Sequence, residues 1–132
     1  LDAGYSDLGD MSGVFPDFQF SSLNVDRRWA AANRATVIAF MRAWIKAHGW
    51  VFSNKLASSA IAVNESGIAQ AYAERAWDEY VGGVIFPPDG AASIAAVQTL
   101  IDVSALIRAL PTRSAMRAET YINTSYIEAA TQ

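Results

Sequence analysis

A chain of 132 residues is long enough for one domain with a core of its own. Its 52% hydrophobic and 17% charged residues exclude a disordered chain, and the absence of cysteine excludes disulfide, zinc-thiolate and thiol-nucleophile chemistry. The net charge of −3, with no basic stripe to neutralise phosphates, argues against nucleic acid as a partner.

The opening stretch, Leu1 to Gly13, is rich in Gly, Asp and Ser and reads as loop, in the manner of a fragment start. No segment reads as a signal peptide, and no apolar run approaches the length needed to span a membrane. From Phe15 to Phe20 aromatic and polar residues alternate, with Pro16 marking an edge or entry segment. The alternation continues imperfectly through Phe20, Leu23 and Val25, so a short strand is expected within 18–25. Asp26 is placed to cap a first helical turn carrying Trp29, and Asn33 to cap a second helix. In that helix Val37, Met41, Trp44 and His48 fall at spacings of four, three and four, widened by Ile38, Phe40 and Ile45.

Gly49 is the expected stop, with Ser53 capping a further helix whose apolar side carries Leu56, Ala60, Ile61 and Val63. Gly67 breaks it. Another helix is expected over about 68–81, with Ile68, Tyr72, Trp77 and Tyr80 as its large groups, ending at Gly82 and Gly83. Val84 to Gly90 reads as an extended connector with a second short strand at 84–86, limited by Pro87 and Pro88. A broad-striped helix follows over about 92–109, ending at Leu110 and Pro111. The segment Tyr121 to Tyr126 then leads into a last helical turn at 127–130. The pattern is mostly α-helical, with Trp29, Phe40, Met41, Trp44, Leu100 and Ile101 as expected core.

Residues able to carry chemistry are few. His48 is the single histidine and lies on the apolar line, where packing explains it. Glu74 and Asp78, four apart, share a helix face with Arg75 nearby and read as solvated rather than as a cation site. The Gly pairs lack phosphate-loop spacing. Asn64-Glu65-Ser66 and Asn123-Thr124-Ser125 match the short glycosylation pattern, which recurs by chance. No catalytic set, metal site or cofactor is expected. Tyr5, Phe15, Phe18 and Phe20 are aromatic residues on irregular segments, where packing under the helices explains them first and walling a ligand is the alternative.

The run Leu23-Asn24-Val25-Asp26-Arg27-Arg28-Trp29-Ala30, then Asn33, then Val37 to Trp44, resembles the C-terminal half of bacterial ABC-transporter solute-binding proteins. The group is the one that binds nitrate, sulfonates, taurine and thiamine-pyrimidine precursors. Gly83-Val84-Ile85-Phe86-Pro87-Pro88-Asp89-Gly90 ahead of a helix with Leu100-Ile101-Asp102 is similar to the same group, as is Tyr121-Ile122-Asn123-Thr124-Ser125-Tyr126. The resemblance covers about residues 1–130 in the expected order. It implies an α/β fold of the periplasmic binding protein type II class. On it, residues 1–14 end the second lobe, 15–25 form the hinge crossing, and 26–132 are helices of the first lobe. Most of the sheet would then lie upstream.

The implied function is capture of a small organic molecule or anion, without catalysis, for delivery to an ABC permease. The implied location is periplasmic, or membrane-anchored and extracytoplasmic. Ligand contacts are expected from Tyr5, Phe18, Gln19, Ser21 and Ser22, beside the crossing. The superfamily's enzyme branch, with its cysteine-rich iron motif, does not fit a cysteine-free chain. The alternative is a free-standing helical interaction module. On the fragment reading, helix faces that would otherwise cover a sheet are left bare and are expected to drive self-association or to be covered by a partner segment.

Overall fold

A computed structural model describes residues 4–6, 8, 9, 11–83, 85–110 and 116–132. Among the described residues six α-helices follow one another: α1 (Arg27–Ala32), α2 (Arg34–Ser53), α3 (Lys55–Ser66), α4 (Gln70–Trp77), α5 (Ile94–Leu106) and α6 (Ser125–Thr131). Single 3-10 turns occur at Met11–Gly13 and Ala118–Thr120, and a π-helical turn, Asp78–Gly82, extends α4. The chain divides into two units. Unit 1 comprises Leu1–Asn24 and Ala92–Asn123; unit 2 comprises Val25–Ala91 and Thr124–Gln132.

The mostly helical expectation holds, but the expected strands do not. Among the described residues there is no strand: 18–25 is irregular, and so are Ile85 and Phe86, while Val84 lies outside the described residues. A strand needs a partner ladder, and the alternation of Phe15 to Val25 has none here. One main-chain bond, from the Gln19 N–H to the Ala96 carbonyl of α5 at 3.2 Å, ties the segment to its unit. No α/β sheet is formed by the described residues.

In unit 2, Asp26 caps α1 as its residue type predicts: its carboxylate accepts the Trp29 N–H at 2.8 Å. Asn33 stands between α1 and α2, but its side chain does not cap α2. Its amide instead donates to the Trp29 carbonyl at 2.9 Å and closes α1. Gly49 does not stop α2, which runs on to Ser53. The stop is Asn54, whose amide donates to the Trp50 carbonyl at 2.8 Å. Ser53 likewise bonds back to the Gly49 carbonyl rather than capping α3. Gly67, at φ +72, ends α3 in the left-handed conformation that glycine adopts without a Cβ penalty.

α2 packs on α6, and α3 on α4. The Arg34 guanidinium lies 4.9 Å from the Tyr126 ring centre, joining the start of α2 to α6. Trp77 donates its indole N–H to the Val51 carbonyl at 2.9 Å, fixing the end of α4 to α2. The expected line on α2 is its covered side: Val37 is buried, and Met41, Trp44 and His48 are half-buried. The turn Pro87 to Gly90 seats on that line. Gly90 N–H closes it on the Pro87 carbonyl at 2.9 Å, and the Trp44 indole donates to the Gly90 carbonyl at 3.2 Å. His48 Nε2 meets the Pro87 carbonyl at 2.6 Å. Gly90 sits at φ +65 so close to the indole that a Cβ would come 2.7 Å from its Nε1. His48 stacks between Trp44 and Phe52, with ring centres at 5.5 and 5.1 Å, so its role is packing and turn-holding.

The core differs from expectation at two positions. Ile101 is buried and Leu100, Met41 and Trp44 are half-buried, whereas Trp29 and Phe40 are about half exposed, at 49% and 53%. The buried strip on α2 is narrower than its apolar stripe, and the Phe40 flank lies outside it. The buried apolar residues among those described are mostly small: Ala30, Val37, Ala73, Val81, Ala96 and Ala118, with Ile101 the largest.

Ser59 on α3 is the buried polar residue, and among the described residues its hydroxyl has no hydrogen-bond partner. Burying an unpaired hydroxyl is costly, and alanine is the better helix former. Ser59→Ala is therefore expected to stabilise the protein by about 1 kcal/mol. A thermal melt should show a rise of a few degrees; a lower midpoint would mean that the hydroxyl is bonded in solution.

Candidate functional site

Unit 1 contains both the crossing segment expected to meet ligand and an open groove. The crossing residues are described first. Tyr5 is exposed, and Phe18 is partly covered, with its ring centre 6.5 Å from that of Phe15. Gln19 is half-buried; its main chain holds Ala96, and its side-chain amide turns to the Ser21 carbonyl. Ser22 accepts from the Asn24 amide at its carbonyl, 3.1 Å, and at its hydroxyl, 3.5 Å. Within this stretch these side-chain bonds are local, from Gln19 to the Ser21 carbonyl and from Asn24 to Ser22. Within the lead-in, Leu1, Asp2, Ala3, Asp7 and Asp10 lie outside the described residues, as does the expected helix stop Pro111.

The groove lies along α5. Ser93 caps that helix, its hydroxyl accepting the Ala96 N–H at 3.3 Å. Ile94, Gln98 and Asp102 follow at spacings of four and so share one face. Gln98 clamps the opposite wall to that face. Its side-chain oxygen accepts the Ala118 N–H at 3.0 Å, and its amide donates to the Met116 carbonyl at 3.4 Å and to Asp102 Oδ1 at 3.2 Å. Ala118 is fully buried by this arrangement. Between the walls is a space of about 720 Å³, lined by Ile94, Gln98, Asp102, Met116, Arg117 and Glu119 among others. Pockets of that size hold small organic ligands.

None of Tyr5, Phe18, Gln19, Ser21 or Ser22 lines the groove. Gln19 is linked to it through α5, because its partner Ala96 follows Ala95, which does line it. Two carboxylates and one guanidinium face the space. Arg117 Nε is 3.7 Å from Glu119 Oε2, with both side chains well exposed, a weak pairing in water.

Outside the groove, Glu74 and Asp78 are held by neighbouring side chains. Asp78 pairs with Lys55 at 2.6 Å on the surface, and Glu74 accepts from Gln70 at 2.8 Å, so each member of the sequence-level acidic pair has its own partner. Among the described residues no group of His, Asp and Glu is arranged to hold a metal, and no helix is long and apolar enough to cross a membrane. The chain matches no protein-family model, no curated protein and no solved structure.

Proposed function

We propose that this chain is the C-terminal portion of a solute-binding protein that captures a small molecule and hands it to an ABC permease. The observation that carries the reading is the state of its helices. They bear large apolar groups on uncovered faces, among them Trp29, Phe40, Leu56, Ile61 and Tyr72, around a core built mainly of alanine and valine. Helices flanking a sheet have such faces. A sheet supplied by further polypeptide, as in a two-lobed α/β binding protein, would cover them. The ordered motifs support the same reading: the Trp29–Asn33 turn precedes the long α2, the Pro87–Gly90 turn precedes α5, and the Tyr121–Tyr126 stretch runs into α6. Capture and release need no general base.

On this reading the ligand lies beside the crossing, against Phe18, Gln19, Ser21 and Ser22, with Tyr5 near the entry. In the complete two-lobed protein, Phe18→Ala and Ser21→Ala are each expected to weaken binding about tenfold, or about 1.4 kcal/mol. The ligand is first found by thermal-shift screening against sulfonates, nitrate, pyrimidines and flavins. Isothermal titration of the two variants then tests the site; unchanged affinity in both would move it away from the crossing.

A further inference from the structure

The α5 groove carries information about ligand chemistry that the crossing does not. Its charged lining is Asp102, Glu119 and Arg117, so a simple anion would meet two carboxylates for one guanidinium, and a simple cation would meet the guanidinium. A ligand bearing both charges suits both walls. The spacing is set by the backbone. Gln98 bonds to the residues on either side of Arg117, namely Met116 and Ala118, so the Arg117 backbone lies opposite Gln98. Asp102 is one helical turn farther along α5, about 6 Å at 1.5 Å per residue. Ile94 and Met116 supply apolar surface in the same groove. The Arg117–Glu119 approach is at Nε, 3.7 Å, too long for a hydrogen bond and well exposed, so it is a weak pairing that an acid group can displace.

We propose that the groove between α5 and residues 116–119 binds a small zwitterion whose ammonium and acid groups are separated by a short apolar chain. The acid group pairs with Arg117, the ammonium with Asp102 and Glu119, and the chain lies over Ile94 and Met116. This goes beyond solute binding at the crossing and rests on that reading only for its biological use. The groove belongs to unit 1 alone, so the chain itself should bind without further polypeptide.

The test is titration of the full 132-residue chain with 5-aminopentanoate, pentanoate and pentylamine, followed by calorimetry and amide chemical shifts. 5-Aminopentanoate should bind at least about tenfold more tightly than either singly charged probe. In Asp102→Asn its advantage over pentanoate should fall several-fold, and in Asp102→Asn/Glu119→Gln it should vanish; in the more exposed Arg117→Gln its advantage over pentylamine should vanish. Circular dichroism checks that the variants fold. No binding of the zwitterion, equal binding of a singly charged probe, or affinities unmoved by the substitutions would overturn the proposal. Failure here, with a sulfonate, nitrate or pyrimidine bound by the complete protein, would leave the solute-binding reading standing. Binding of 5-aminopentanoate, with no importer-dependent uptake of any solute, would keep the groove and remove the importer.

Discussion

Trp44→Ala should cost about 3 kcal/mol of stability, the low end of the range for large aromatic truncations because the indole is only half-buried. Three losses combine. The ring leaves its stack on His48, the Gly90 carbonyl loses its donor, and the Pro87–Gly90 turn loses the surface it rests on. Trp44→Phe keeps most of the packing and should cost only about 1 kcal/mol, the net worth of one hydrogen bond. Urea denaturation of the two variants separates these contributions. A loss under about 0.5 kcal/mol for Trp44→Ala would place the indole outside the fold.

Ile101→Ala should have a comparable effect on unit 1, about 2–4 kcal/mol, because Ile101 is only 6% exposed and its removal leaves a cavity. All four tryptophans, Trp29, Trp44, Trp50 and Trp77, belong to unit 2, so a probe of the backbone of α5 itself is preferred. Far-UV circular dichroism in denaturant is the suitable probe. An unshifted midpoint would mean that α5 is not packed around Ile101 in solution.

Periodicity made the α2 line legible, because Val37, Met41, Trp44 and His48 repeat with the helix and the structure covers that line. The Asp26 cap was legible for the same local reason. Gly49 misled because a glycine weakens a helix without ending it. The continuing spacing Trp44, His48, Phe52 was the signal that α2 goes on, and the rings are indeed in register. The strand expected at 18–25 failed because alternation records a preference, while a strand requires a partner that local sequence does not supply. The exposure of Phe40 could not be read from its stripe, since what covers a helix face is a tertiary matter.

The groove was not read from the sequence, although one signal for it was present. Ile94, Gln98 and Asp102 advertise one face of α5 by their spacing, but the opposite wall arrives from 116–119 and is fixed only by the Gln98 clamp. The crossing residues Phe18, Gln19, Ser21 and Ser22 rest on the resemblance; the geometry adds only local bonds from Gln19 to the Ser21 carbonyl and from Asn24 to Ser22.

Sedimentation velocity of this chain over a hundredfold range of concentration tests most directly whether its helix faces are made to be covered. Apolar surface left in water costs roughly 25 cal/mol per Å². With Trp29, Phe40, Leu56, Ile61 and Tyr72 on uncovered faces, the chain by itself should associate as concentration rises. A single monomeric species throughout that range would contradict the claim that further polypeptide completes this fold.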